Sequence, residues 1–376
     1  MTLADQHGVA QVVIGSGNLT DDLAFFTDSV GFRLNAIYPS DDPQVAILNG
    51  YGLEIRLDRA APRPTGQTII LPTGTSMPLD RDSAGVWSGA ANGGMRAQAP
   101  NGVVVEVPPA ATELTIPKPT QAFEVRRLSD GASWVIGRAG MHYRDLVPDR
   151  LGGSIIASHI RIPDGGPVPD MVHYHTVGFQ LIYCYHGWVR LVYEDQGPPF
   201  LLEAGDCVTQ PPGIRHQVLE ASDELQVIEI AVPAEHMTTI DHELSLPTPH
   251  YQPEREFQGQ VFCHYRSTDA DWQPWYQSGF VYSDTGVARC SANAASVHIA
   301  RPDSQAASAS LSSQHHDDIL FAFVTDGEVT LSVANHHTSV LVAGDAFVIP
   351  PATDFAYTAS ANAELLEVRI LKTDSD

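Results

Sequence analysis

Cysteine is scarce in this chain: four residues in 376, none of them in a C-x-x-C pair. Cys184, Cys207, Cys263 and Cys290 sit in strand-like surroundings, so neither a disulfide framework nor a cysteine metal site is expected, and all four are read as buried free thiols. Positive charge is also sparse. The chain carries 21 Lys and Arg against 45 Asp and Glu, a formal net charge of -24. Such a surface repels phosphate backbones and anionic headgroups, which argues against nucleic acid and membrane partners. No apolar run reaches the ~20 residues of a spanning helix. The opening M-T-L-A-D-Q-H-G lacks the basic and apolar regions of an export signal, and a cytoplasmic protein is expected.

Apolar residues make up 43% of the chain, enough for sizeable cores in two or three domains. The 27 Pro and 30 Gly are spread along the chain, as turns between many short strands would be. A mainly β fold is expected.

Residues 1–110 open with V-V-I-G-S-G-N-L-T-D-D-L-A-F-F-T-D-S-V-G-F. This reads as a strand, then a helix started by Thr20, Asp21 and Asp22 with Leu23, Phe25, Phe26 and Val30 as its apolar face. Strand-like V-A-I-L-N and L-E-I-R-L follow, and A-P-N-G-V-V-V-E-V-P closes the segment as a hairpin. That order resembles the glyoxalase and extradiol-dioxygenase family, which implies a small α+β lobe. The family's metal-ligand positions fall on Gln11, Glu54 and Glu106; no histidine backs them, and a structural or dimerising lobe is the favoured reading, with a homodimer expected.

A Pro-rich stretch, V-P-P-A-A-T-E-L-T-I-P-K-P-T, supplies a linker at residues 111–122. Beyond it the chain repeats itself. G-M-H-Y-R-D-L-V-P-D-R-L-G-G-S-I-I-A-S-H-I-R-I-P-D at 140–164 matches G-F-V-Y-S-D-T-G-V-A-R-C-S-A-N-A-A-S-V-H-I-A-R-P-D at 279–303. Two small antiparallel barrels or jelly rolls are expected, at 123–245 and 246–376.

The first copy carries the chemistry. His173 and His175 are one residue apart, so on a strand both imidazoles face one side, as a metal taking two ligands from one strand requires. Four residues separate His175 from Gln180, and six separate Gln180 from Gly187. Downstream, G-D-C-V-T-Q-P-P-G-I-R-H places His216 after a P-P-G turn. These spacings resemble the two motifs of the cupin family, with Gln180 where the family has Glu. The resemblance implies two cupin β-barrels and one divalent transition metal, Fe, Mn, Ni, Zn or Co, held by His173, His175, Gln180 and His216. In the second copy Ser313, His315, Leu320 and Phe355 fall at those positions, so that copy is expected to be degenerate and Q-H-H-D-D (314–318) a solvated loop.

Three imidazoles and a carboxamide are neutral, so a bound dication keeps its full charge and suits polarising a carbonyl or enolate oxygen. The expected function is therefore a metal-dependent lyase, isomerase or cyclase without net oxidation, acting on a small carboxylate or carbonyl compound. A mononuclear Fe(II) dioxygenase is the rival enzyme, and a non-catalytic small-molecule-binding bicupin the rival of another class. His159 and Arg161 share one face of S-H-I-R-I; turned inward, they would move a proton and pair with a substrate carboxylate. Ile156, Ser158, Ile160 and Ile162 compete for that inward face. Glu229 is a further candidate base.

Overall fold

A computed structural model gives the architecture and describes residues 9–75, 86–91, 93–109, 114–131, 133–303 and 312–372. The chain divides into two compact units, Met1–Glu113 and Leu114–Asp376. That division falls inside the expected linker, whose residues up to 113 lie outside the described ones. The remainder is not loose chain: Thr120 N–H donates to Leu151 O at 2.9 Å and the Gln121 amide to Asp318 O at 3.0 Å.

In the smaller unit, one sheet runs in the order Gln11–Gly15, Leu53–Asp58, Val45–Gly50, Arg33–Tyr38, its first two strands parallel. A second runs Thr68–Ile70, Val104–Val107, Met95–Gln98, Trp87–Gly89 with the same order and the same parallel pair. The helix Leu19–Ala24 starts one residue earlier than expected, because the Asn18 side chain accepts from Asp21 N–H and caps it. A π-helical turn, Phe25–Val30, continues it, and the expected apolar residues are inward, with Phe25, Phe26 and Val30 buried and Leu23 packed against that core.

In the larger unit the two sequence copies build the same arrangement twice. The first copy pairs a long sheet, ordered Val135–Ile136, His142–Asp145, Ile156–Ile162, Leu225–Val232, Phe179–His186, Cys207–Thr209, His264–Tyr265, with a shorter one. The shorter sheet runs Phe200–Glu203, Trp188–Tyr193, His216–Ala221, His173–His175, Thr238–Ile240. The second copy's long sheet ends on Glu124–Arg126, beside Ala346–Ile349. The last strand of each long sheet thus comes from the other copy's segment, so the boundary at 245 separates the copies in sequence but not in space. Asp206 and Asp345, each after a turn glycine, fasten the exchange by accepting from Ser267 N–H and Leu128 N–H, both at 2.8 Å. The sheets stay open, so each copy is a two-sheet jelly-roll sandwich rather than a closed barrel.

Side chains alternate along the long strands, and this sorts them between cores. In Phe179–His186, Leu181 and Tyr183 join a core that also holds Phe321, Phe323 and Val348 of the second copy, while Ile182 and Cys184 turn into the first copy's interior. The long strands are therefore buried on both faces.

Candidate metal centre

His173 and His216 are direct cross-strand partners, and His175 lies two residues along on the same face. One ligand atom from each of these three buried histidines lies within 4.8 Å of the others. Each Nδ1 is already engaged. His173 donates to Met171 O at 2.7 Å, His216 donates to Ile214 O at 3.0 Å, and Thr238 Oγ1 lies 2.9 Å from Nδ1 of His175. Donation to a carbonyl fixes the ring plane of His173 and His216 and the tautomer that carries the lone pair on Nε2, the usual preparation of a metal-binding histidine, and Thr238 orients the ring of His175. Burial is the main cause that holds all three neutral: His175 is pushed down to about 3, and His173 and His216 also lie below the ordinary histidine range.

Gln180 is buried on the same sandwich interior. Its Nε2 donates to Glu229 Oε1 at 2.6 Å, and its Oε1 is a buried acceptor with no hydrogen-bond partner. An orphaned carboxamide oxygen is costly in an apolar interior and would be satisfied by a cation. The three imidazoles, close enough to share one ion, fit a divalent transition metal.

Around the histidines lies a cavity of about 280 Å³. Its walls are largely aliphatic, and Arg138, Tyr143, Gln210, Glu229, His236 and Thr238 supply the polar points. Arg138 donates to Nε2 of His173 at 3.0 Å and is held by an ion pair with Asp170. Glu229 stands part-buried at the cavity wall, and burial raises its carboxyl above the ordinary range, opposed by the Gln180 hydrogen bond.

Ile156, Ser158, Ile160 and Ile162 line this cavity, so the same strand turns His159 and Arg161 the other way. The inward placement expected for those two residues is corrected accordingly. His159 packs against Trp134, Tyr185 and Phe323 of the second copy; it accepts from Arg144 at 3.1 Å and donates to Gln226 at 2.7 Å. Burial, and then the Arg144 charge, push its pKa down to about 4. Arg161 pairs with Glu224 at 2.6 Å near solvent. Both residues join structural elements outside the cavity.

The second copy keeps the geometry and changes the chemistry. Ser313 bridges Phe355 as His173 pairs with His216, and His315 O accepts from Ala352 N–H as His175 O accepts from Gly213 N–H. His315 is buried in the fold rather than part of a solvated loop, its Nε2 donating to Ile349 O at 2.8 Å. Leu320 stands at the Gln180 position beside Arg369, where the first copy has Ala231. Arg369 donates to Glu367 at 2.8 Å and to Asp317 at 3.2 Å, and Tyr276 bonds the other oxygen of Glu367.

In the smaller unit, Gln11 donates to Glu54 at 2.8 Å and Glu106 lies 3.7 Å from Arg96. These three residues are occupied with neighbours on their own sheets. Among the described residues, His173, His175 and His216 form the His/Cys/Asp/Glu group close enough to share an ion.

Sequence reasoning missed Arg138 and Thr238, which lie on segments with no motif of their own. Thr238 carries a signal only in retrospect, as the strand that pairs with H-Y-H.

No protein-family model matches the chain, and no curated protein matches it. Among solved structures it is similar to salicylate 1,2-dioxygenase from Pseudaminobacter salicylatoxidans at 14% identity and a TM-score of 0.51, over 68% of this chain and 86% of that one. Protein Ylba from E. coli matches at 14% identity and 0.48, over 71% and 97%, and oxalate decarboxylase from Lactobacillus farciminis at 14% and 0.48, over 66% and 86%. The likeness to the salicylate enzyme bears on fold alone, and that fold is mainly β and of the cupin jelly-roll type.

Proposed function

We propose that the first copy is a metal-dependent active site for a small carboxylate or carbonyl compound with an apolar body, and that its reaction moves protons without net oxidation. One observation carries this reading: three buried imidazoles converge on a largely aliphatic cavity whose wall also holds the carboxyl of Glu229. His173, His175 and His216 would hold the ion, with Gln180 Oε1 as a fourth donor. A divalent ion on this set supplies Lewis acidity toward a carbonyl or enolate oxygen.

The chain's own residues supply the rest. The aliphatic wall excludes water, which strengthens each polar contact inside. Arg138, at the cavity wall and steadied by Asp170, is placed to orient a substrate carboxylate. The lone pair it occupies on His173 is one an ion would take, so metal loading frees the guanidinium for that task. Glu229, its carboxyl raised by burial, takes or returns a proton at its oxygen, steadied by the Gln180 amide.

The test is a substrate screen of the Zn(II), Mn(II), Ni(II) and Fe(II) forms with an oxygen electrode. Turnover by the Zn(II) form under anaerobic conditions is the expected result. Activity confined to the iron form, with O₂ uptake matching product, replaces this reading with a dioxygenase; ligand binding without turnover in any form replaces it with a binding protein.

We also infer that the smaller unit is a glyoxalase-type lobe. Support comes from its two four-stranded sheets with one shared strand order.

A further inference from the structure

The cavity beside the histidines is sorted by polarity along its length, and the strand registers show how. On the long sheet the inward pairs run Ser158 opposite Glu229, then Ile160 opposite Val227, then Ile162 opposite Leu225. On the short sheet they run Tyr193 opposite His216, then Leu191 opposite Val218, then Val189 opposite Ala221. A step of two residues is about 6.7 Å of strand. The polar groups of the wall gather at the first step. Thr238 pairs with His175, and the His236 ring lies 5.5 Å from that of His175. Arg138 contacts His173, and Gln210 donates to Tyr193, the partner of His216, at 2.8 Å. Past Ser158 and Glu229 the wall is apolar, apart from Tyr143, whose hydroxyl is turned to the Met141 sulfur at 3.7 Å. Exposure follows the same order: the Arg138 side chain is 35% exposed, whereas Leu225 and Val189 are at 2% and 3%. Solvent therefore reaches the polar end, and the apolar end is blind.

We propose that the substrate is an aliphatic oxo monoacid whose carboxylate lies at Arg138, whose oxo group faces the histidines, and whose tail length is set by Val189 and Leu225. The head-group half of this assignment rests on the metal-site reading above, while the tail contacts rest on the cavity alone. Arg138 is the one Lys or Arg among the lining residues, so the cavity partners a single carboxylate. A second carboxylate or a run of hydroxyls along the tail would be buried past Glu229 without partners, which rules out diacids and sugar-like substrates. A volume of about 280 Å³, at roughly 30 Å³ per water-sized group, holds about nine such groups, which fits acids of about six to eight carbons.

The test is calorimetry of the full-length chain, Zn(II)-loaded and metal-free, against 2-oxobutanoate, 2-oxohexanoate, 2-oxooctanoate and 2-oxodecanoate, with 2-oxohexanedioate as the diacid. Affinity should rise about fourfold per methylene from 2-oxobutanoate to 2-oxohexanoate, with the same slope in both forms, and fall by 2-oxodecanoate. The diacid should bind more weakly than 2-oxohexanoate. Leu225→Phe should move the maximum to shorter acids and Leu225→Ala to longer ones; the wild-type slope stands whether or not either variant folds. Equal affinity along the series, or a diacid bound as tightly as the monoacid, overturns the proposal. A gain from Zn(II) without any slope overturns it too and leaves the metal-site reading standing. A slope in both forms without any gain from Zn(II) does the reverse: the tail site stands and the metal-site reading falls.

Discussion

The two copies of the sandwich keep one backbone and solve one electrostatic problem in two ways. Each places a glutamate at the same interior register, Glu229 opposite Ser158 and Glu367 opposite His298. A buried carboxylate must be neutralised or paired. In the first copy the neighbouring position is Ala231, which leaves the interior open to three neutral imidazoles, a carboxamide and a cavity. In the second copy it is Arg369, and its guanidinium pairs with Glu367 while Tyr276, Phe355 and Tyr357 pack close by. Arg369 supplies the second interior's positive charge beside its glutamate, where the proposed reading has the first interior take one from a bound ion.

The contrast can be broken most sharply at the ligands. His216→Ala should lower divalent-metal affinity by about a thousandfold or more, while Phe355→Ala should leave metal stoichiometry unchanged; titration calorimetry with elemental analysis reads both. Equal losses would show that the copies are not distinguished by these residues. Next in size is Arg369→Met, which leaves Glu367 buried and unpaired and should cost about 3–5 kcal/mol in urea unfolding. Adding Glu367→Gln should recover much of that loss, and no comparable partner effect should link Ala231 to Glu229.

A third prediction concerns acid stability. His159 has a folded-state pKa of about 4, below the ordinary histidine value, so the unfolded chain binds more protons than the folded one between those limits. Its contribution is fully present above pH ~6.5 and is lost as pH falls toward 4, amounting to up to about 3 kcal/mol. His159→Gln should flatten the stability profile in that window and leave metal affinity unchanged. A change in metal affinity would restore a role at the site. The smallest effect is expected from Thr238→Val, which removes the hydroxyl beside His175 Nδ1 and should weaken metal binding by about tenfold.

Much of the centre was legible because it is local. H-Y-H on a strand, Gln180 after four intervening residues and a histidine after P-P-G fix side-chain directions through the period of the strand and the geometry of one turn. Arg138 and Thr238 were not legible, because they reach the histidines only through tertiary placement of a loop and of an edge strand. The error over His159 and Arg161 has a physical source too. Alternation identifies two faces but names the inner one only when the other is wet, and this strand is covered on both sides, by the cavity and by the second copy. The repeat was legible as a duplication, yet the exchange of end strands was not, since three-residue and two-residue strands carry little pattern of their own.

That exchange makes each half the keeper of a piece of the other. Cutting the chain between the copies would give two fragments, each with a bare sheet edge and each carrying the strand that fits its counterpart. Made together as separate chains, they should find one another and reassemble as a heterodimer. Either half made alone should pair with itself, lending its first strand reciprocally, the ordinary route to a domain-swapped dimer.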